Sequence, residues 1–179
     1  MIHPLAKFLF CPCCGSARFE VNDFKSKRCT DCGFTFYHNA AAATVAVILN
    51  SRNELLVTRR AFNPAAGTLD LPGGFVDAGE TAEEGIVREV EEETGGKAVV
   101  EKFLFSLPNE YVYSDFIVHT TDLFFLCRLL DETALLACDD AAALFWLPLV
   151  DIRPSDFGLA SIAAGVQKLL ESKISYTPT

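Results

Sequence analysis

Basic residues are in short supply in this chain. Fifteen lysines and arginines stand against twenty-four aspartates and glutamates, leaving a formal charge of -9 over 179 residues. A protein that grips nucleic acid through a broad basic face needs clustered Lys and Arg, so bound nucleic acid is disfavoured, whereas a single nucleotide is not. Long apolar runs are also missing. The longest, AAAATVAVIL at 40–49 and LFFLCRLL at 123–130, have core-strand length, and the second contains Arg128; neither reaches a membrane span. The start, MIHPLAKFLFCPCCG, is interrupted by Lys7 and has no small-residue cleavage site, so it does not read as a secretory signal. A cytoplasmic protein with no membrane partner is expected. The three histidines, His3, His38 and His119, show no partner pattern, and neither repeats nor low-complexity segments occur.

Half of the residues are hydrophobic, enough to bury a sizeable core in one main domain with a small appendage. Five of the seven cysteines crowd the first 32 residues. Cys11-x-x-Cys14 is followed, after fourteen residues, by Cys29-x-x-Cys32, and each pair is closed by a glycine, Gly15 or Gly33. Two such knuckles present four thiolates tetrahedrally to a structural Zn2+ with no open coordination position. The competing reading, a redox or disulfide pair, lacks a thioredoxin-like context and conflicts with a reducing compartment. Cys13 is a bystander, and Cys127 and Cys138 read as small buried hydrophobes.

After the appendage, expected to span residues 1–38, the main domain occupies 39–179. Strands are expected at 44–50, at 54–60 as its hairpin partner across the turn Ser51-Arg52-Asn53, and at 68–71. Further strands are expected around 98–106, 120–130 and 144–149. A final helix near 158–172 carries Ile162, Val166, Leu169 and Leu170 on one face. This order predicts an α/β fold, a mixed sheet with helices against it.

The stretch LPGGFVDAGETAEEGIVREVEEETGG, residues 71–96, holds eight acidic side chains and one arginine between glycine pairs. Thr81 and Glu84 form a capping box, Gly95 is a terminator, and Ile86, Val87 and Val90 make an apolar stripe, so the spacing predicts a helix over 82–94. Glu89, Glu92 and Glu93 then share one face near the C-terminal end, where the macrodipole disfavours negative charge. Helix stability does not account for that choice. Mg2+ does, because it takes oxygen ligands and shares its shell with substrate phosphates. Arg88, four residues from both Glu84 and Glu92, can hold a glutamate rotamer. A solvated acidic face, the ordinary meaning of a glutamate run, explains neither the glycine turn nor the embedded arginine.

Gly74, Glu80, Arg88-Glu89-Val90, Glu92-Glu93 and Gly95 stand at the spacing of G-x5-E-x7-R-E-U-x-E-E-x-G-U, where U is bulky and apolar; only the last position departs, as Gly96. The segment resembles the Nudix box. The resemblance implies an α/β/α sandwich and metal-dependent hydrolysis of a nucleoside diphosphate linked to another moiety. The ribbon in front is similar to that of the NADH pyrophosphatase branch, in which a substrate-contacting tyrosine follows the last cysteine by five residues; Tyr37 stands there. That branch's S-Q-P-W-P-F-P-x-S is partly kept as SLPNEYVYS at 106–114. Ser106, Pro108 and Ser114 match and Tyr111 replaces the aromatic, while Leu107, Asn109, Glu110 and Val112 depart.

By this resemblance Mg2+ or Mn2+ is bound by Glu89, Glu92, Glu93 and the Gly73 carbonyl. Asp140 stands where the branch has a metal-binding glutamate and reads equally as an exposed turn residue. Glu92, Glu93 or a loop acid takes the proton. Phe75 and Tyr111 either stack a ring or belong to the core, and Arg59 and Arg60 either meet a phosphate or form a solvated strand end. The expected substrates are NADH or NAD, ADP-ribose, or a similar dinucleotide or nucleotide sugar, with a homodimer left open. The alternative is a regulatory module that senses nucleotides or binds RNA 5′ ends, to which Lys25, Lys27 and Arg28 lend a small basic patch.

Overall fold

A computed structural model describes residues 3–113, 116–131, 135–136 and 141–172, without the side chains of Tyr111 and Ala141. The chain divides into two compact units, 1–40 and 41–179.

The first unit is an antiparallel meander of β1 (Phe19–Asp23), β2 (Ser26–Cys29) and β3 (Thr35–Tyr37). Its two knuckles repeat one hydrogen-bonding scheme. Cys11 N donates to Ser16 O at 2.8 Å and Gly15 N to Cys11 O at 2.9 Å; Cys29 N donates to Phe34 O at 2.8 Å and Gly33 N to Cys29 O at 3.0 Å. Gly15 and Gly33 turn with φ of 74° and 78°, a region costly for residues with a Cβ. Its hydrophobic cluster among the described residues is Cys11, Phe19 and Cys29 with Phe36 against them, and Leu5 is buried besides. So small a core does not stabilise a fold unaided. Lys27 is buried here, its Nζ 2.6 Å from Phe8 O and above the Phe19 ring, so one of the three cations of the candidate basic patch is turned inward.

Among its described residues the second unit contains two three-stranded sheets, the first of them mixed as expected. In one, β8 (Phe116–Leu129) lies between β4 (Ala41–Ile48), to which it is parallel, and β7 (Ala98–Tyr113), to which it is antiparallel. In the other, β5 (Glu54–Arg60) lies between β6 (Leu69–Asp70) and β9 (Ala141–Pro148). The expected β4–β5 hairpin is therefore corrected. The turn exists, with Asn50 N donating to Glu54 O, but pairing stops at one bridge between Leu49 and Leu55 and the strands diverge into different sheets. β4 satisfies its ladder with β8 instead, and the 2-residue alternation of both strands serves two cores. Val45, Val47, Leu49, Leu55 and Val57 face one; Ala46, Ile48 and Leu56 face the other.

Helix α1 (Ala82–Thr94) covers the second core through Ile86 and Val90, and α2 (Ala160–Glu171) covers the first through Ile162, Val166 and Leu169. This gives the helix–strand–helix layering of an α/β/α sandwich. Each of these fully buried aliphatic side chains contributes about 1.5–3 kcal/mol through removal from water. Gly165 lets α2 sit on the Phe124 ring, whose atoms lie 2.4 Å from where a Cβ would stand. At Gly96 the bulky residue of the box pattern has no room: a Cβ would meet Leu135 at 2.8 Å and Leu129 at 3.1 Å. Those two leucines supply the packing that the pattern assigns to that position.

Candidate active site

Helix α1 begins and ends as its sequence dictates. Glu84 N donates to Thr81 Oγ1 at 3.2 Å, Thr81 N donates to Glu84 Oε2 at 2.8 Å, and Gly95, at φ 67°, closes the helix through Glu91 O. No basic residue occupies the last turn, so Glu89, Glu92 and Glu93 gain nothing from the helix dipole.

The glycine turn is fixed from the opposite side. Ala46 N donates to Pro72 O at 2.7 Å, Thr44 N to Gly74 O at 2.8 Å, and Val76 N to Ala42 O at 3.0 Å, so residues 72–76 run along β4 like a further strand. Gly73 N faces the other way and donates to Glu93 Oε2 at 3.3 Å. The two glycines permit different close approaches. A Cβ on Gly73, at φ 153°, would stand 2.0 Å from Thr44 O, and one on Gly74 would stand 2.5 Å from the Glu89 carboxylate.

Arg88 joins turn to helix. Its Nη2 lies 2.6 Å from Glu80 Oε1 and 3.0 Å from Phe75 O; its Nε lies 3.2 Å from Glu80 Oε2; its Nη1 lies 2.8 Å from Glu89 and 3.1 Å from Glu92. These anions, Glu80 first and Glu89 next, raise the guanidinium's pKa and keep it charged. Burial pushes the Glu89 carboxyl up, Arg88 pulls it back, and the Glu92 charge adds to the rise. An all-oxygen donor set with more negative charge than its one arginine neutralises suits a hard divalent cation such as Mg2+ or Mn2+.

The three box carboxylates are not gathered around one point. Among the described residues, Cys11, Cys14, Cys29 and Cys32 form the only group of three or more His, Cys, Asp or Glu whose ligand atoms converge. Glu93 borders a cavity of about 510 Å3 together with Gly73, Gly74 and Phe75. Glu89 stands behind Gly74, and Glu92 borders a shallower groove with Val87, Arg88 and Glu91. The cavity has the size of a small-molecule site and is lined by residues of the second unit. Phe75 lies in its wall, 44% exposed. Tyr37 is half exposed on β3 of the first unit. Tyr111 lies on β7 opposite Val118, its side chain outside the described residues, as is Asp140 altogether.

Arg60 lines the cavity with its charge committed to Asp70, Nη1 to Oδ2 at 2.5 Å, whereas Arg59 donates to Gly67 O and stacks over Phe145. Sequence reasoning missed Asp70, Asn109, Tyr113, Thr120 and Asp122, all in the cavity wall. The only signal available was polar residues inside strands that are otherwise apolar.

The cysteine cluster meets the demands of zinc. All four sulfurs lie within 4.8 Å of one another, with Cys11–Cys32 at 3.7 Å and Cys14–Cys29 at 3.6 Å. Zn–S bonds of about 2.3 Å in a tetrahedron place sulfurs about 3.8 Å apart.

The model of the NUDIX domain matches residues 39–166. The chain belongs to the NUDIX domain family. Among curated Nudix relatives it is 50% identical over 54 residues to the ADP-ribose pyrophosphatase of Methanocaldococcus jannaschii, covering 30% of this chain and 32% of that protein. It is 33% identical over 94 residues to the NAD-capped RNA hydrolase NudC of Haemophilus influenzae (strain PittGG), covering 52% and 36%. The chain thus spans about a third of the length of these relatives. Among solved structures, a NUDIX hydrolase from Nitrosomonas europaea superposes with a TM-score of 0.73 at 21% identity, over 92% of this chain and 91% of that one, and so shares the Nudix fold. No helix among the described residues is long and apolar enough to cross a membrane.

Proposed function

We propose that this Nudix protein hydrolyses the pyrophosphate bond of a nucleoside diphosphate linked to another moiety, such as NADH or NAD, ADP-ribose, or a related dinucleotide or nucleotide sugar. The observation that carries the reading is Arg88, which holds Glu80, Glu89 and Glu92 and the Phe75 carbonyl at once, tying the acidic helix to a glycine turn at the edge of a nucleotide-sized cavity. Residues 39–179 form the hydrolase domain and residues 1–38 a zinc ribbon that stabilises its own fold through Cys11, Cys14, Cys29 and Cys32. The protein works in the cytoplasm.

Glu89, Glu92, Glu93, the Gly73 carbonyl and Asp140 are the residues that would hold Mg2+ or Mn2+. A divalent cation there supplies charge neutralisation on the diphosphate and acidification of water. Arg88 keeps the glutamates in place. Glu93, the box carboxylate that borders the cavity, or Glu92, takes the proton from the attacking water. Phe75, Tyr111 and Tyr37 offer aromatic surface to the rings.

The test is a panel of NADH, NAD+, ADP-ribose, diadenosine polyphosphates, FAD and nucleoside triphosphates assayed with Mg2+ and Mn2+. Comparable kcat/KM for NADH and at least one other diphosphate is expected, since a site that stacks rings without reading family-specific groups accepts several. No turnover on any member overturns the reading. A second reading, action on capped RNA, is favoured by the name of the Haemophilus relative and opposed by the net charge of -9 and the burial of Lys27. Salt-sensitive RNA binding by the intact protein would support it.

A further inference from the structure

The cavity's far wall holds a polar group that no described residue answers. Asn109 of β7 is 9% exposed, lines the cavity, and its Oδ1 has no hydrogen-bond partner among the described residues. Its polar neighbours are already served. Thr120, opposite it on β8, donates to Asp122 Oδ1 at 2.5 Å, and Ser161 of α2 donates to Asp122 Oδ2. Asp70 accepts from Arg60 and from Leu71 N. A buried acceptor without a partner is destabilising, and a ligand N–H relieves it.

Register places this group relative to the glycine turn. The turn pairs with β4, Ala43 of β4 pairs with Asp122 of β8, and Thr120 pairs with Asn109 of β7. Three strand spacings, roughly 14 Å across the sheet, and an offset of about three residues along the strands, from Thr44 beside Gly74 to Ala41 beside Thr120, separate the Gly73 amide from Asn109. Asp122 makes the intervening wall unfavourable to phosphate oxygens, whereas the glycine turn and Glu93, among the residues proposed to hold the metal, lie at the other end. Val45, Val118 and Ile162 supply apolar surface for a flat ring.

We propose that Asn109 determines specificity by accepting a hydrogen bond from an exocyclic amino group on the substrate's nucleobase, so that an amino-substituted ring is preferred over its oxo counterpart. The proposal rests on the nucleotide hydrolase reading and names the part of the substrate that the far wall receives. Replacing the amino group by a carbonyl sets two acceptors face to face with the amide as it stands, so the oxo compound must either leave both unpaired or turn the buried Asn109 amide over to present Nδ2, a cost that the amino compound does not carry.

The experiment compares AMP with IMP by titration calorimetry, and ADP-ribose with its hypoxanthine analogue by kcat/KM with Mg2+. The wild-type protein is expected to favour the amino compound by about tenfold to a hundredfold in both. Asn109→Leu, and Asn109→Ala as a second variant should the first fail to fold, are expected to bring the ratio near one by weakening the amino compound, while Asn109→Asp, which retains an acceptor, keeps the preference. A wild-type ratio near one, or an undiminished preference in the Leu and Ala variants, overturns the proposal. The AMP and IMP titrations need no turnover. Preference there without hydrolysis of any substrate supports the role of Asn109 and defeats only the hydrolase reading; hydrolysis without preference does the reverse.

Discussion

Arg88 grips Glu80 with two prongs, Nη2 to Oε1 at 2.6 Å and Nε to Oε2 at 3.2 Å, while Glu80 Oε1 also accepts from Asp77 N at 2.6 Å. Seven residues lie between the partners, the capped start of α1 among them. The pair therefore closes the glycine loop onto the helix and sets where Glu89 and Glu92 stand.

Arg88→Lys retains the charge and loses the fork, since an ammonium cannot make the planar two-bond contact. Turnover is expected to fall about a hundredfold, the usual consequence of small misplacement in a catalytic constellation, with the circular dichroism spectrum unchanged. Wild-type turnover in the lysine variant would remove Arg88 from the machinery.

Gly73 and Gly74 should fail differently. A Cβ at Gly73 meets the backbone of Thr44, which cannot retreat without breaking the turn's pairing with β4, whereas one at Gly74 meets only the end of the Glu89 side chain. Gly73→Ala is expected to lower the melting temperature, by about 3 kcal/mol of stability. Gly74→Ala is expected to leave melting nearly unchanged and to lose metal-dependent turnover through displacement of Glu89.

Glu92→Gln and Glu93→Gln remove a carboxylate charge at nearly constant volume. Each should lower turnover by more than about a hundredfold, since even groups that merely orient metal ligands cost 10–100-fold, while the fold survives. If both variants turn over at wild-type rates, the site lies elsewhere.

One zinc per chain is expected in freshly purified, reduced protein by elemental analysis. Cys29→Ser should lose it and expose the first unit to proteolysis, because metal binding and folding of so small a core are one equilibrium. Zinc-free protein with an intact first unit would contradict this.

Burial holds the Asp70 carboxyl above its ordinary range, with the Arg60 hydrogen bond and charge pulling it partway back. The folded state therefore takes up the Asp70 proton more readily than the unfolded chain, a contribution that favours folding at low pH and is withdrawn as pH rises through the folded pKa. Arg60→Met strips the counter-charge and should cost about 3–5 kcal/mol at neutral pH. That cost should shrink as the pH falls and Asp70 becomes neutral. Denaturant melts of both proteins across the acid range measure it; a pH-independent difference would mean that Asp70 and Arg60 are not coupled.

What could be read from the sequence was what short-range chemistry controls. The bounds of α1 follow from the Thr81–Glu84 box and Gly95, and both knuckles follow from cysteines three apart with a glycine behind them, because every bond involved closes within a few residues. The Nudix fold was legible through the same long, rigid spacing. Long-range pairing was not. The turn at 51–53 looks like a hairpin locally, yet β4 pairs with β8, seventy-nine residues away, and which partner completes a strand's ladder depends on the whole set of strands competing for it. The room at Gly96 is taken by Leu129 and Leu135, which no pattern around Gly96 announces. Asn109, Asp122 and Ser161 likewise come from β7, β8 and α2, and only tertiary packing sets an unpaired acceptor from one beside a satisfied carboxylate from another.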